Sequence, residues 1–100
     1  MQNDFEHIQI QFAHKAKDIF WVALDEFELA TSKVDRNLEE YKFNRLKEQH
    51  VHSLKQRLTA TAREYIERHQ HHQHGRDLDQ MMQQEIKSYL HQFVVKIRSI

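Results

Sequence analysis

Between Met1 and Ile100 the chain contains no proline and a single glycine, Gly75. Hairpin turns and strand ends use these two residues to reach fixed or positive φ, so a chain almost without them has little means of reversing an extended strand. All-β architectures and glycine-dependent α/β folds of the Rossmann type are excluded on this ground, and no glycine-rich phosphate loop can be built. What remains is a helical protein. The 100 residues suit one domain. With 8 Leu, 7 Ile, 5 Val, 6 Phe and a formal charge of zero, the chain lies above the apolar content, about 20%, below which strongly charged sequences stay disordered.

Apolar spacing divides the chain into three helical segments, about 4–31, 35–73 and 77–99. The first opens near Asn3 or Asp4, either of which can cap a helix N-terminus. Phe5, Ile8, Phe12, Ile19, Ala23, Phe27, Ala30 and Val34 follow at steps of 3, 4 or 7, the spacing of one helix face. Thr31 to Asn37 is the expected turn, made without glycine and offering Ser32 and Asp35 as caps. The second segment is sparse at first (Leu38, Tyr41, Phe43, Leu46) and then regular (Val51, Leu54, Leu58, Ala62, Tyr65). The register slips between Leu46 and Val51, so a break near His50 would divide this helix and make four in all. Gly75 fits the residue that ends a helix in the left-handed conformation. Asp77 then opens the third segment, with Gln80 placed as in a loose capping box, and Met82, Ile86, Tyr89, Leu90, Phe93, Ile97 and Ile100 mark its inward stripe.

Within the first segment lies Ile19-Phe20-Trp21-Val22-Ala23-Leu24, six apolar residues in a row. At about 100° per residue such a run points in every direction around a helix, and one neighbouring helix cannot cover it. Either the rest of a bundle encloses it, or one side meets a second copy of the chain. Ile19, Phe20, Trp21, Val22, Leu24 and Phe27 are therefore the expected partner or dimer interface, and a homodimer is the expected assembly. A chain this short buries a modest share of its apolar surface alone, which points the same way.

Charge is balanced overall but segregated locally. Residues 1–40 hold 9 acids and 4 bases, residues 41–76 hold 3 acids and 8 bases, and the remainder holds 3 of each. Opposite charges flanking a shared apolar seam favour pairing of the first two helices. The basic stretch also offers a nucleic-acid surface, with Arg45, Lys55, Arg57 and Arg63 as phosphate-neutralising candidates. Against this, the sequence pI is near 7.1, whereas a committed nucleic-acid-binding domain has a pI above about 9.

Nine histidines are the compositional oddity. His69, His71, His72 and His74 are spaced so that i, i+3 pairs on a helix could share a divalent metal; the same tract also reads as a solvated helix end. No other cofactor is implied. Cysteine is absent, which removes disulfides, thiolate nucleophiles and Cys-based zinc sites. The Glu-x-x-His pairs of di-iron bundles are missing. Arg45 and His50 are spaced Arg-x4-His, which resembles the pattern of helical RNases of the HEPN type. The resemblance covers two positions; Arg63 and His69 give a looser match. It implies an Arg that holds a phosphate and a His that transfers a proton.

These observations describe an all-α, up-and-down bundle of three long helices, completed by a homodimer. The opening residues lack a secretory signal's cationic start and apolar core, and no apolar stretch approaches the roughly 20 residues of a bilayer span, so a soluble, cytoplasmic protein with no membrane contact is expected. The leading functional expectation is a non-enzymatic helical protein-binding module: an adaptor, regulator, chaperone or inhibitor. A nucleic-acid-associated regulator and a His-based metal protein or RNase are the alternatives.

Overall fold

The apolar spacing is realised as three helices in a computed structural model that describes residues 4–68 and 75–98. Helix α1 spans Asp4–Thr31, α2 spans Glu40–Arg68 and α3 spans Gly75–Arg98. Every pair of helices is packed together, and no described residue is in a strand. Contacts fix the direction of each helix. Phe12 of α1 meets Tyr65 near the end of α2, while Phe27 meets Phe43 near its start, so these two run antiparallel. Tyr89 lies by Ala13 and Lys96 by Trp21, so α1 and α3 run in the same direction. The result is an elongated up-down-up bundle of 56 × 19 × 16 Å.

The core is one continuous cluster along the bundle axis. From α1 it takes Ile8, Phe12, Ala16, Phe20, Ala23, Leu24 and Phe27; α2 supplies Phe43, Leu54, Leu58 and Ala62, and α3 supplies Leu78, Met82, Ile86, Phe93 and Ile97. Its centre is aromatic. Phe27 packs against the rings of Phe43, His50 and Phe93 at centroid separations of 5.7, 5.4 and 6.0 Å. Phe20 packs against Tyr89 and Phe93. Apart from the tilted Phe20–Tyr89 pair these rings meet edge to face, an arrangement that adds about 0.5–1.5 kcal/mol per pair beyond burial. Two hydroxyls are drawn into the core and satisfied locally: Thr31 Oγ1 donates to the Phe27 carbonyl at 2.8 Å and Thr61 Oγ1 to the Arg57 carbonyl at 2.9 Å. Such back-bonding within a helix leaves no orphaned donor.

The turn between α1 and α2 is made without glycine, and no described residue has positive φ. Asp35 organises it. Its Oδ1 accepts from the Asn37 and Leu38 amides at 2.9 and 3.0 Å, and its carbonyl accepts from the Glu39 amide. Asp35 thus caps a short turn of its own, and α2 begins at Glu40 where the spacing had placed its start at residue 35. Leu38 and Tyr41, expected on the inward stripe, are 85% and 80% exposed for the same reason. Arg36 then fastens the turn to the third helix: one guanidinium N–H donates to the Arg98 carbonyl at 2.9 Å, and the guanidinium carbon lies 4.8 Å from the Phe43 ring centroid. A cation at a helix C-terminus opposes the negative end of the helix dipole.

Two other boundaries differ from the sequence expectation. Helix α2 is continuous through His50, because the apolar register slip is absorbed by Leu46 and Val51 as half-buried flanks, so the bundle has three helices and not four. Gly75 is the first residue of α3, without positive φ, and its absent side chain is not used for a left-handed cap. Asp77 lies in the first turn of α3, where a carboxylate complements the helix dipole. The expected end of the second helix at residue 73 and the terminal Ile100 lie outside the described residues.

Candidate functional site

The six-residue apolar run is divided by the bundle into two sets. Phe20, Ala23 and Leu24 are at most 5% exposed, Phe27 is fully buried, and Ile19 is half-buried. Trp21 and Val22 remain outside, 44% and 52% exposed. Helices α2 and α3 approach α1 from two sides and so cover an arc that one neighbour could not. Phe20, Leu24 and Phe27 therefore belong to the monomer's own core, and the part of the expected interface that stays accessible is Trp21 and Val22. Trp21 is held in a fixed pose: its ring stands edge-on to Phe20 at 5.4 Å, and the Lys96 ammonium lies 5.1 Å from its centroid.

Toward the N-terminus, the same side of α1 borders a shallow apolar groove against α3. Ile10, Ala13, His14, Lys17 and Tyr89 line it, with a volume of about 200 Å³. Ile10 is 57% exposed at its edge. The Tyr89 hydroxyl donates to the Ala13 carbonyl at 3.4 Å. Burial, and secondly the nearby Glu85 carboxylate, push the Tyr89 phenol above its usual range. The groove is thus floored by apolar atoms with a neutral phenol and rimmed by Lys17 and His14.

The basic candidates on α2 do not act as a set. Arg57 donates to Glu26 Oε2 of α1 at 3.0 Å and so belongs to the α1–α2 seam. Both side chains are more than 40% exposed, so the pair is worth about 0.2–1 kcal/mol and serves mainly to register the two helices. Arg45, Lys55 and Arg63 lie on the outer surface of α2 and form no ion pair among the described residues. Lys55 and Arg63 flank Gln56, Thr59 and Ala60 with His52 beside them. That surface comes from one helix alone and encloses nothing. The interleaved aromatics are not available to stack on bases: Phe43 is buried and Tyr65 packs on Phe12, which leaves Tyr41.

The Arg-x4-His pair is separated by the helix that carries it. Arg45 is exposed, whereas the His50 ring is half-buried against Phe27. Five residues along a helix turn by about 500°, which leaves two side chains some 140° apart, so they do not converge on one phosphate. His69, His71, His72 and His74 lie outside the described residues. Among the described residues no group of three His, Asp or Glu is placed to hold a metal. His7 accepts a hydrogen bond from Gln11 Nε2 at 3.0 Å.

Sequence reasoning missed Ala16 and Phe20 as inward residues, taking Ile19 in their place by a step of seven from Phe12. Steps of four through Phe12, Ala16 and Phe20 were the available signal. The Arg36 link to Arg98 and the Lys96 contact with Trp21 join residues far apart in sequence and leave no local pattern. No helix among the described residues is long and apolar enough to cross a membrane. No protein-family model, curated protein or solved structure matches the chain.

Proposed function

We propose that the chain is a small, non-enzymatic helical binding module that offers the outer side of α1 to another polypeptide. The observation that carries this reading is the placement of Trp21. The bundle buries a complete aromatic core without it, yet the ring is pinned by Phe20 and Lys96 and left 44% exposed. Tryptophan is among the residues that dominate protein interfaces, and a pose fixed before binding lowers the entropy lost on association. The apolar groove of Ile10, Ala13 and Tyr89 extends the same side of the helix.

Replacing Trp21 with the photo-crosslinking residue benzoylphenylalanine tests this in the cell. Illumination is expected to join position 21 to a polypeptide, while the same residue at the exposed Gln84 gives no such adduct. No adduct at position 21, or equal labelling at both positions, would overturn the reading.

A second reading, polyanion binding by α2, is supported by Arg45, Lys55 and Arg63, which form no ion pair among the described residues. It predicts salt-sensitive retention on heparin, lost in Arg45→Glu/Arg63→Glu. Retention unchanged by the substitutions would dismiss it.

A further inference from the structure

We propose that the side of the bundle formed by α2 and α3 binds the phosphate backbone of a nucleic-acid duplex. This rests on the second reading above, polyanion binding, and extends it from α2 to residues of α3. The argument comes from where acids are missing. Residues 49–63 of α2 and 86–98 of α3 contain no Asp or Glu and together carry six bases, Lys55, Arg57, Arg63, Lys87, Lys96 and Arg98. The fold sets these two stretches side by side. Phe12 and Ala13 of α1 meet Tyr65 and Tyr89, while Phe27 meets both His50 and Phe93. Both stretches therefore lie along the same length of α1, in two helices that are packed together.

Helix geometry sorts the bases between the flanks of each helix. Arg57 pairs with Glu26 and Lys96 lies over Trp21, so these two turn toward α1. A step of two residues is about 200° around a helix. Lys55 is two residues from Arg57, Lys87 two from Tyr89 and Arg98 two from Lys96, which places all three on the flanks where α2 and α3 adjoin. Arg63 stands beside them on the outer surface of α2. All four are exposed and form no ion pair among the described residues. Glu85 acts on Tyr89, on the α1 side; Glu48 and Glu64 bound the α2 stretch at its ends, and the acids of α1 stand across the core. What remains is a cationic surface about 22 Å long at 1.5 Å per residue, complementary to a row of phosphates. Zero net charge conceals it, because 9 of the 15 acids fall in residues 1–40. Thr59 and Ala60 leave a shallow hollow of about 440 Å³ between Lys55 and Arg63, open to a backbone phosphate. No free ring is offered to a base here: Tyr65 packs on Phe12, Tyr89 on Phe20, and Phe93 is buried. Single-strand binders stack bases on exposed aromatics, so the surface fits a duplex held through its backbone.

The experiment titrates the full chain into a fluorescent duplex of about 20 base pairs, as DNA and as RNA, at about 50 mM salt. The single strand and polyglutamate serve as competing probes, and circular dichroism checks helix content. Duplex binding is expected with a Kd of about 10⁻⁴–10⁻⁶ M, falling with salt at a log–log slope no steeper than about −3.6 for four contacts. The tighter of the two duplexes names the polymer. Lys55→Glu/Lys87→Glu should weaken binding about tenfold or more. Lys87→Glu should weaken it clearly more than Lys15→Glu, which changes the net charge equally but lies on α1. The proposal is overturned if neither duplex binds, if Lys87→Glu and Lys15→Glu have equal effects, or if the single strand or polyglutamate binds as tightly as the duplex. Heparin retention lost in Arg45→Glu/Arg63→Glu, with duplex binding untouched by Lys87→Glu, would overturn it while leaving the polyanion reading of α2 in place.

Discussion

Two stripes run along α1 at the same spacing and obey different rules. The inward one, Ile8, Phe12, Ala16, Phe20, Ala23 and Phe27, is apolar throughout and almost completely buried. The outward one, Ile10, His14, Lys17, Trp21, Asp25 and Glu28, is polar but for Ile10 and Trp21, and exposed throughout. The inner stripe is set by the volume that α2 and α3 leave between them, where protein interiors tolerate neither voids nor excess atoms. The outer stripe bears no such constraint. The apolar run spans both stripes: Phe20, Ala23 and Leu24 close the molecule, and Trp21 is left outside it.

The comparison breaks most easily at Phe27, which touches the rings of both other helices. Phe27→Ala should cost about 3–5 kcal/mol in denaturant unfolding, the usual range for a buried phenylalanine. Trp21→Ala, six residues away on the outward stripe of the same helix, should cost about 1 kcal/mol or less, mainly the cation–π contact with Lys96. Equal losses at the two positions would mean that Trp21 is a core residue and that the two-stripe account is wrong.

Contacts on the surface should rank below these. Arg36→Ala removes the cation at the end of α3 and the stacking on Phe43, with an expected loss of about 1 kcal/mol by thermal unfolding. No change would show that the turn is held by Asp35 alone. Arg57→Ala should cost about 0.2–1 kcal/mol, and less at high salt; a salt-independent loss would point to packing of the arginine stem instead.

How much of this was legible in the sequence depends on whether the cause is local. The all-α class followed from the missing turn residues, and the α3 stripe from Met82 to Ile97 followed from spacing alone, because all six of its members (Met82, Ile86, Tyr89, Leu90, Phe93 and Ile97) are buried or half-buried along one face. The start of α2 was misplaced because Asp35 is a genuine cap whose turn lasts only to Glu39; a capping side chain announces a helical turn but not its length. The face of α1 was harder still. Ile19 and Phe20 are equally apolar, and the choice between them is made by Tyr89 and Phe93, residues some 70 positions away. Which part of the Ile19–Leu24 run would stay outside could not be read for the same reason.

The smallest expected effect sharpens the boundary between the two stripes. Burial raises the Tyr89 phenol above its ordinary value of 10.0, so below about pH 10 both the folded and the unfolded chain hold it neutral and it adds nothing to the pH dependence. As pH rises past that value the unfolded chain ionises first, and stability falls. Absorbance titration should show one of the three tyrosines ionising late, a phase absent in Tyr89→Phe. Three tyrosines titrating together would place Tyr89 in open solvent.

The most direct test of the account uses the chain's only tryptophan. Acrylamide should quench Trp21 fluorescence readily in the folded chain in dilute solution, because the bundle leaves the ring 44% exposed. A Trp21 in the folded chain as protected from acrylamide as a core residue would contradict the claim that the bundle leaves this ring outside.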